Sequence, residues 1–141
     1  MPVDRDVVLA KVDAIERCLR RIEQVTGRDP RALDDQDRED IFVLNLQRAA
    51  QAAIDLANHL VAADGLQLPT KLRESFELLE RHASLPKDLC ARMGSMVGFR
   101  NIAVHDYQAI DKRILAAILE SHLDDLRRFS RYALGRAGIA D

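Results

Sequence analysis

Apolar residues recur along this chain at alternating steps of three and four, the spacing that places side chains on one face of an α-helix. In the first part of the chain this pattern consists of Val8, Val12, Ile15, Leu19 and Ile22. No segment shows a competing period of two, which is typical of a half-buried strand. We therefore expect an all-α fold.

The pattern divides into five helical segments, four long and one short. The first two are expected over residues 4–25 and 34–62. The other three begin after the candidate N-caps Thr70, Ser84 and Asp111, residue types that accept hydrogen bonds from the first turn of a helix. Short connections between long helices favour antiparallel neighbours, so the sequence predicts an up-and-down four-helix bundle with one short extra helix.

Size and composition indicate the class of protein. A chain of 141 residues fits a single domain, here 1–141, and 48% apolar residues argue against disorder. No apolar run has the roughly 18 residues of a membrane span, and the start Met1–Asp6 lacks the apolar region of a signal peptide. Cys18 and Cys90 are isolated, without metal-ligand spacing. We expect a cytoplasmic protein that does not associate with membranes and uses no metal and no cofactor.

The apolar pattern of the fourth segment is interrupted within the run Gly98–Tyr107. The stripe through Leu89 and Met96 reaches Arg100 at its next step, and a parallel stripe reaches Asn101. A buried guanidinium without a partner is costly. An acid, an anionic ligand or a solvent-filled groove at a subunit boundary is therefore expected to compensate Arg100.

Four polar side chains of this run fit one groove near the end of the helix. Arg100 and Tyr107 are seven residues apart and Asn101 and His105 are four apart, so each pair shares a direction on an ideal helix. A histidine can move a proton to or from a ribose hydroxyl or a leaving oxygen. An arginine can hold a phosphate and stabilise charge in the transition state. The set predicts metal-free phosphodiester cleavage.

A single histidine does not suffice for a concerted reaction, which needs a base and an acid on opposite sides of phosphorus. A twofold dimer that brings two copies of His105 together across its axis would supply both. Asp106 is a further candidate, either as the partner of a nearby arginine or in an acid–base role.

The run resembles the motif of HEPN-domain ribonuclease toxins of the HepT type, the toxin half of type VII HepT–MntA toxin–antitoxin systems. The resemblance rests on the lead-in Gly98–Asn101, the close Val104–Tyr107, the chain length and the long second helix. It implies that Arg100 and His105 are the catalytic pair of a metal-independent endoribonuclease. Asn101 would be a supporting polar residue.

The same resemblance implies a HEPN-like homodimer with RNA as substrate and the active cleft at its interface. It also implies an MntA-like nucleotidyltransferase antitoxin that transfers AMP to Tyr107. An added nucleotide would bring bulk and negative charge into a groove built for RNA phosphate.

Two alternatives remain open from the residues themselves. The groove could belong to a non-catalytic helical module that binds a nucleotide or a partner, since arginine and histidine late in a helix also complement its dipole. The last helix ends in Arg127, Arg128, Arg131 and Arg136, which form either a phosphate-binding face or a solvated helix end. His122, on the apolar stripe of that helix, is expected to be a hydrogen-bonded core histidine.

Overall fold

A computed structural model describes residues 3–139, which are helical throughout apart from turns and connections. The helices are α1 (Arg5–Thr26), α2 (Gln36–Ala63), α3 (Leu72–His82), α4 (Lys87–His105), α5 (Lys112–Ser121) and α6 (Leu123–Arg136). Two 3₁₀ turns, Pro30–Asp34 and Tyr107–Ala109, precede α2 and α5. The all-α prediction is confirmed. The single domain over residues 1–141 stays a prediction, and its first two and last two residues lie outside the described range. Within that range, no helix has the length and apolar content needed to cross a membrane.

The central helix of the bundle is α2, which packs against α1, α3, α4 and α6. Its buried side combines large residues such as Phe42 and Leu46 with a series of alanines that includes Ala49, Ala53 and Ala57. Alanine side chains are short, so neighbouring helices can approach the α2 backbone closely. The positions of α1 and α4 are therefore set largely by their packing on α2.

Two of the three predicted N-caps are wrong. The residue before α3 is Lys71, which makes no side-chain cap, so Thr70 lies one position too early. The residue before α4 is Pro86, whose backbone already has a suitable extended conformation, while Ser84 lies in the left-handed region with φ of 59°. Asp111 is confirmed as a cap, because its carboxylate accepts from the backbone N–H of Arg113.

The predicted last helix is not continuous, because it breaks at His122 into α5 and α6. The backbone N–H of His122 donates to the carbonyl of Ile118 and ends α5. Its ring Nδ1 lies 3.2 Å from a carboxylate oxygen of Asp125 and 3.2 Å from Nη1 of Arg92. His122 is thus hydrogen-bonded as expected, but it is half-buried at a helix junction, with its side chain 30% exposed, rather than in the core.

The basic end of the last helix is occupied by ion pairs. Three of its arginines contact acids from other parts of the chain: Arg127 with Glu16 and Glu23, Arg128 with Asp88, and Arg136 with Asp64. On the same helix, Phe129 packs edge-to-face on Phe76, with the ring centroids 5.1 Å apart. The arginines therefore tie α6 to its neighbours, which matches neither a free phosphate-binding face nor a solvated helix end.

Candidate active site

Arg100 lies on the side of α4 that faces α2, where its side chain is half-buried. Its Nε donates to Oε1 of Gln51 at 2.9 Å, and its Nη1 donates to Oδ1 of Asn101 at 3.1 Å. An acid, one of the three compensations expected, is not found among the described residues, because both hydrogen-bond partners are neutral amides. An amide oxygen satisfies a donor without cancelling its charge. Arg100 therefore keeps a full positive charge at the rim of the bundle, where an anion can reach it.

His105 is the last residue of α4 and is exposed. Within the described part of the chain its ring makes no hydrogen bond, so both nitrogens are open to a ligand. It follows Arg100 by five residues, about 7.5 Å along the helix. Asn101 is one turn earlier and also exposed, as are the apolar side chains of Ile102 and Val104, at 49% and 44%. The exposed face of α4 thus presents two polar side chains among apolar ones.

Asp106 ends α4 through its backbone. Its N–H donates to the carbonyl of Ile102 at 2.8 Å, and its own carbonyl accepts from the N–H of Ala109 at 3.1 Å. No described arginine forms an ion pair with its carboxylate, so the predicted pairing is not found. The carboxylate is exposed beside His105.

Tyr107 lies beyond the end of α4, in the 3₁₀ turn that follows it. The turn directs the phenol toward the first turns of α2. There the hydroxyl donates to the carboxylate of Asp40, lies 3.2 Å from Oε1 of Glu39 and accepts from Nε2 of Gln36 at 3.4 Å. We call Gln36, Glu39 and Asp40 the acidic cradle of Tyr107.

The acidic cradle holds the phenol in its protonated form. Burial, the hydrogen bond to Asp40 and the charge of Glu39 together raise the pKa of Tyr107 above its usual range. In return, the hydrogen bond from Tyr107 lowers the pKa of the Asp40 carboxyl. Glu39 is itself only 7% exposed, and its Oε2 lies 3.7 Å from Nζ of Lys112 at the start of α5.

The ideal-helix alignment of Tyr107 with Arg100 is therefore wrong, while the shared groove itself stays a prediction. The seven-residue spacing places Tyr107 above Arg100 only if α4 continues, and α4 ends at His105. The two side chains instead contact α2 at Glu39 and Gln51, twelve residues apart and about 18 Å along the helix axis. Arg100, Asn101 and His105 lie on α4, whereas Tyr107 lies in the turn beyond its end.

Sequence reasoning missed the residues of α2 that hold these groups. Gln51 interrupts an alanine-rich stretch, and Glu39 is an acid at a buried position, so both depart from the apolar pattern. That departure was a usable signal, although the partner of each residue depends on how α4 packs on α2. Between residues 3 and 139, no group of three or more His, Cys, Asp and Glu side chains is arranged to hold a metal ion.

Comparison with known proteins identifies relatives of this arrangement. A family profile described as "Ribonuclease HepT-like" matches residues 15–133. The chain is 39% identical over 124 residues to the mRNA nuclease HepT of Shewanella oneidensis, which covers 88% of this chain and 93% of that protein.

Solved structures agree with the sequence match. A tri-AMPylated Shewanella oneidensis HEPN toxin in complex with its MNT antitoxin superposes with a TM-score of 0.84 at 38% identity, covering 90% of this chain and 96% of that one. A toxin–antitoxin complex with AMP-PNP gives the same TM-score at 37% identity, again over 90% and 96% of the two chains. With the family profile covering most of its length, this chain belongs to the HepT-like ribonuclease family.

Proposed function

We propose that this protein is the toxin of a type VII, HepT–MntA-like toxin–antitoxin system and acts in the cytoplasm as a metal-independent endoribonuclease. The observation that carries the proposal is the environment of Arg100. Its half-buried guanidinium is held by the neutral amide of Gln51, and the exposed His105 follows on the same helix. RNA as the substrate is supported by the relative from Shewanella oneidensis, which is named an mRNA nuclease.

In the proposed reaction, the 2′-oxygen of a ribose attacks the adjacent phosphorus and the bond to the 5′-oxygen breaks. Arg100 contacts the phosphate oxygens and stabilises the negative charge that develops on them. His105 removes the proton from the 2′-hydroxyl or delivers one to the leaving 5′-oxygen. Asn101, already bonded to Nη1 of Arg100, orients the guanidinium or the substrate.

A homodimer supplies the second proton-transfer group that the reaction needs. Ile102 and Val104, on the surface of α4 beside His105, each expose about half of their area. Ile114 of α5 is 53% exposed and lines the same pocket as Ile102. A cluster of exposed apolar side chains is typical of a protein interface. We propose that a second copy of the chain covers this face and brings a second His105 to the cleft.

Control by the antitoxin is proposed to act through Tyr107. A nucleotidyltransferase of the MntA type would catalyse attack of the phenolic oxygen on the α-phosphorus of ATP. Pyrophosphate leaves, the phenolic proton is lost and an AMP phosphodiester remains on the tyrosine. The AMPylated relative in complex with its antitoxin supports this assignment.

The test of the nuclease is cleavage of RNA by the purified protein with and without EDTA. We expect the wild type to cleave in both conditions and His105→Ala to lose activity by about 10²–10⁴-fold. His82→Ala is the matched control, since His82 is also an exposed histidine near a helix end. Undiminished cleavage by His105→Ala would refute the catalytic assignment. RNA binding without any cleavage would support the non-catalytic module instead.

The test of the modification is the intact mass of the toxin after co-expression with the antitoxin. The wild type should gain the mass of one or more AMP units, and Tyr107→Phe should gain none. Tyr132→Phe, which changes the chain's other tyrosine, should be modified like the wild type. AMP on another residue in Tyr107→Phe would show that the site is misassigned.

A further inference from the structure

We infer that Gln51 and Asp55 of α2 are positioning residues that fix the guanidinium of Arg100 for its phosphate. The inference rests on the proposed role of Arg100 in RNA cleavage and concerns two residues outside the sequence motif. Both belong to a line of hydrogen bonds that crosses the bundle from α1 to α4.

The line has three links between side chains of three helices. Nε of Arg100 donates to Oε1 of Gln51 at 2.9 Å, and Nε2 of Gln51 donates to Oδ1 of Asp55 at 2.9 Å. Nζ of Lys11, on α1, lies 3.1 Å from Oδ2 of Asp55. All four side chains are partly buried.

The chemistry of the two ends dictates the orientation of the Gln51 amide. A carboxylate only accepts hydrogen bonds, so Asp55 requires the NH₂ group of Gln51 on its side. An arginine Nε only donates, so Arg100 requires the amide oxygen on the other side. The two requirements agree, and a flipped amide would break both bonds at once. Asp55 therefore holds Gln51 in the one orientation that accepts from Arg100.

The geometry leaves one edge of the guanidinium for substrate. Nε is occupied by Gln51, so a phosphate must be bound through the Nη1 and Nη2 groups, with Nη1 shared with Asn101. Two contacts on different helices restrict the rotation of a side chain that otherwise has many rotamers. Lys11 balances the negative charge of Asp55. The hydrogen bonds therefore fix the orientation of the Arg100 guanidinium without cancelling its charge.

A hydrogen bond between Gln51 and Asp55 alone would be an ordinary pair one helical turn apart, with a small effect on stability. Positioning predicts a different effect, which appears in the turnover number. The guanidinium keeps its charge when Gln51 is lost, so RNA still binds, but the bound phosphate is no longer held in the reactive orientation.

The experiment measures kcat and KM for a short RNA with Gln51→Leu and with Gln47→Leu as the matched control. Gln47 is also a half-buried glutamine of α2, one turn earlier, and no hydrogen bond joins it to Arg100 among the described residues. We expect Gln51→Leu to lower kcat by about 10–100-fold, with KM changed by less than about threefold and the melting temperature close to that of the control. Equal kcat values for the two variants would overturn the inference.

Asp55→Asn provides a second variant of unchanged size, should Gln51→Leu fold poorly. The new amide can present either its oxygen or its NH₂ group to Gln51, so Gln51 is oriented only part of the time. We expect a loss of kcat smaller than that of Gln51→Leu. A larger loss of kcat than in Gln51→Leu, or no loss, would contradict the inference that Asp55 acts on Arg100 through Gln51.

An observation that needs no cleavage separates this inference from the proposed nuclease function. In a ¹⁵N NMR spectrum of the arginine side chains, the Nε–H signal of Arg100 is identified by its loss in Arg100→Ala. We expect it to exchange slowly with water in the wild type and quickly in Gln51→Leu. If the wild type cleaves no RNA, the nuclease proposal fails while this signal still decides whether Gln51 holds Arg100. Fast exchange in the wild type would refute that contact.

Discussion

Arg100 and Arg127 are both half-buried arginines on helices, yet the structure surrounds them differently. Arg127 of α6 donates to both oxygens of Glu16, at 3.0 and 3.1 Å, and to both oxygens of Glu23, at 3.0 and 2.8 Å. Arg100 of α4 has neutral amide partners, Gln51 and Asn101. The charge of Arg127 is paired with two carboxylates, whereas no acid within residues 3–139 forms an ion pair with Arg100.

The difference indicates how a structural arginine can be distinguished from one that is available to bind an anion. The two glutamates raise the pKa of Arg127 further above its usual range and fill its donor positions. Arg100 is held in place but retains its charge and free donors. The kind of acceptor, carboxylate or amide, is therefore more informative than the degree of burial.

The largest expected effect separates the two arginines by activity. Arg100→Ala should lower RNA cleavage by at least about 10²-fold, because it removes the group that stabilises the phosphate charge. Arg127→Ala should change kcat by less than about threefold when assayed well below its melting temperature. Initial rates on one RNA measure both. A similar loss in the two variants would mean that the comparison does not distinguish their roles.

The next largest effect is expected when Arg100 is given a carboxylate partner of the kind that Arg127 has. Gln51→Glu keeps an acceptor for Arg100 and adds a negative charge next to the guanidinium, but it also loses the N–H that Asp55 accepts. Affinity for RNA should therefore fall and KM rise by about five- to tenfold. The salt dependence of RNA binding, measured in the His105→Ala background, should also weaken by roughly one phosphate contact. Gln47→Glu adds the same charge one turn away and should have the smaller effect of the two. An unchanged KM in Gln51→Glu would contradict the importance of the neutral acceptor.

Thermal stability should rank the two variants in the opposite order, with Arg127→Ala less stable than Arg100→Ala. Arg127→Ala removes the arginine that bridges Glu16 and Glu23, at an expected cost of about 1–2 kcal/mol. Among the described residues, the two glutamates then keep only their longer contacts of 3.8 Å with Arg20 and Arg28. The cost corresponds to a decrease of roughly 3–8 °C in melting temperature. Arg100→Ala should change it by no more than about 2 °C, since only amide contacts are lost. Thermal unfolding followed by circular dichroism tests this ranking, which a larger decrease in Arg100→Ala would reverse.

The smallest expected effect is the pH dependence of the difference in melting temperature between wild type and Arg127→Ala. The hydrogen bond from Arg127 lowers the pKa of the Glu23 carboxyl in the folded protein. A lowered pKa stabilises the fold above the ordinary pKa of glutamate, about 4.3, and this contribution disappears as the pH falls through the folded value. The melting temperatures of wild type and Arg127→Ala should therefore converge between about pH 5 and pH 3. A constant difference over this interval would show that Glu23 does not provide the stabilisation.

The fold was largely predictable because helices depend on local periodicity. The break at His122 was not, since the apolar stripe passes from Leu119 to Leu126 without losing its register. The caps of α3 and α4 failed because polar residues near Pro69 and Pro86 offer several similar starting points. There, the backbone conformation of each residue decides where the helix begins.

The residues of the candidate site also differ in how far local sequence could predict their contacts. Arg100, Asn101 and His105 lie on one helix, so their spacing in sequence was enough to group them. The contacts of Arg100 with Gln51 and of Tyr107 with Asp40 join residues 49 and 67 positions apart. Such contacts depend on the relative register of α2 and α4, which no local pattern contains. The direction of Tyr107 was mispredicted because the helix used to orient it ends two positions earlier, at His105.

The uninterrupted length of α2 has a consequence for any group attached to Tyr107. One continuous helix of 28 residues carries both the acidic cradle and the glutamine that holds Arg100, so the separation of the two sites is fixed by a rigid element. The residues of α2 that Tyr107 and Arg100 contact, Glu39 and Gln51, are about 18 Å apart along its axis, so these two anchoring positions cannot approach each other. We expect the reach of the modification, as well as its charge, to determine whether Arg100 is blocked.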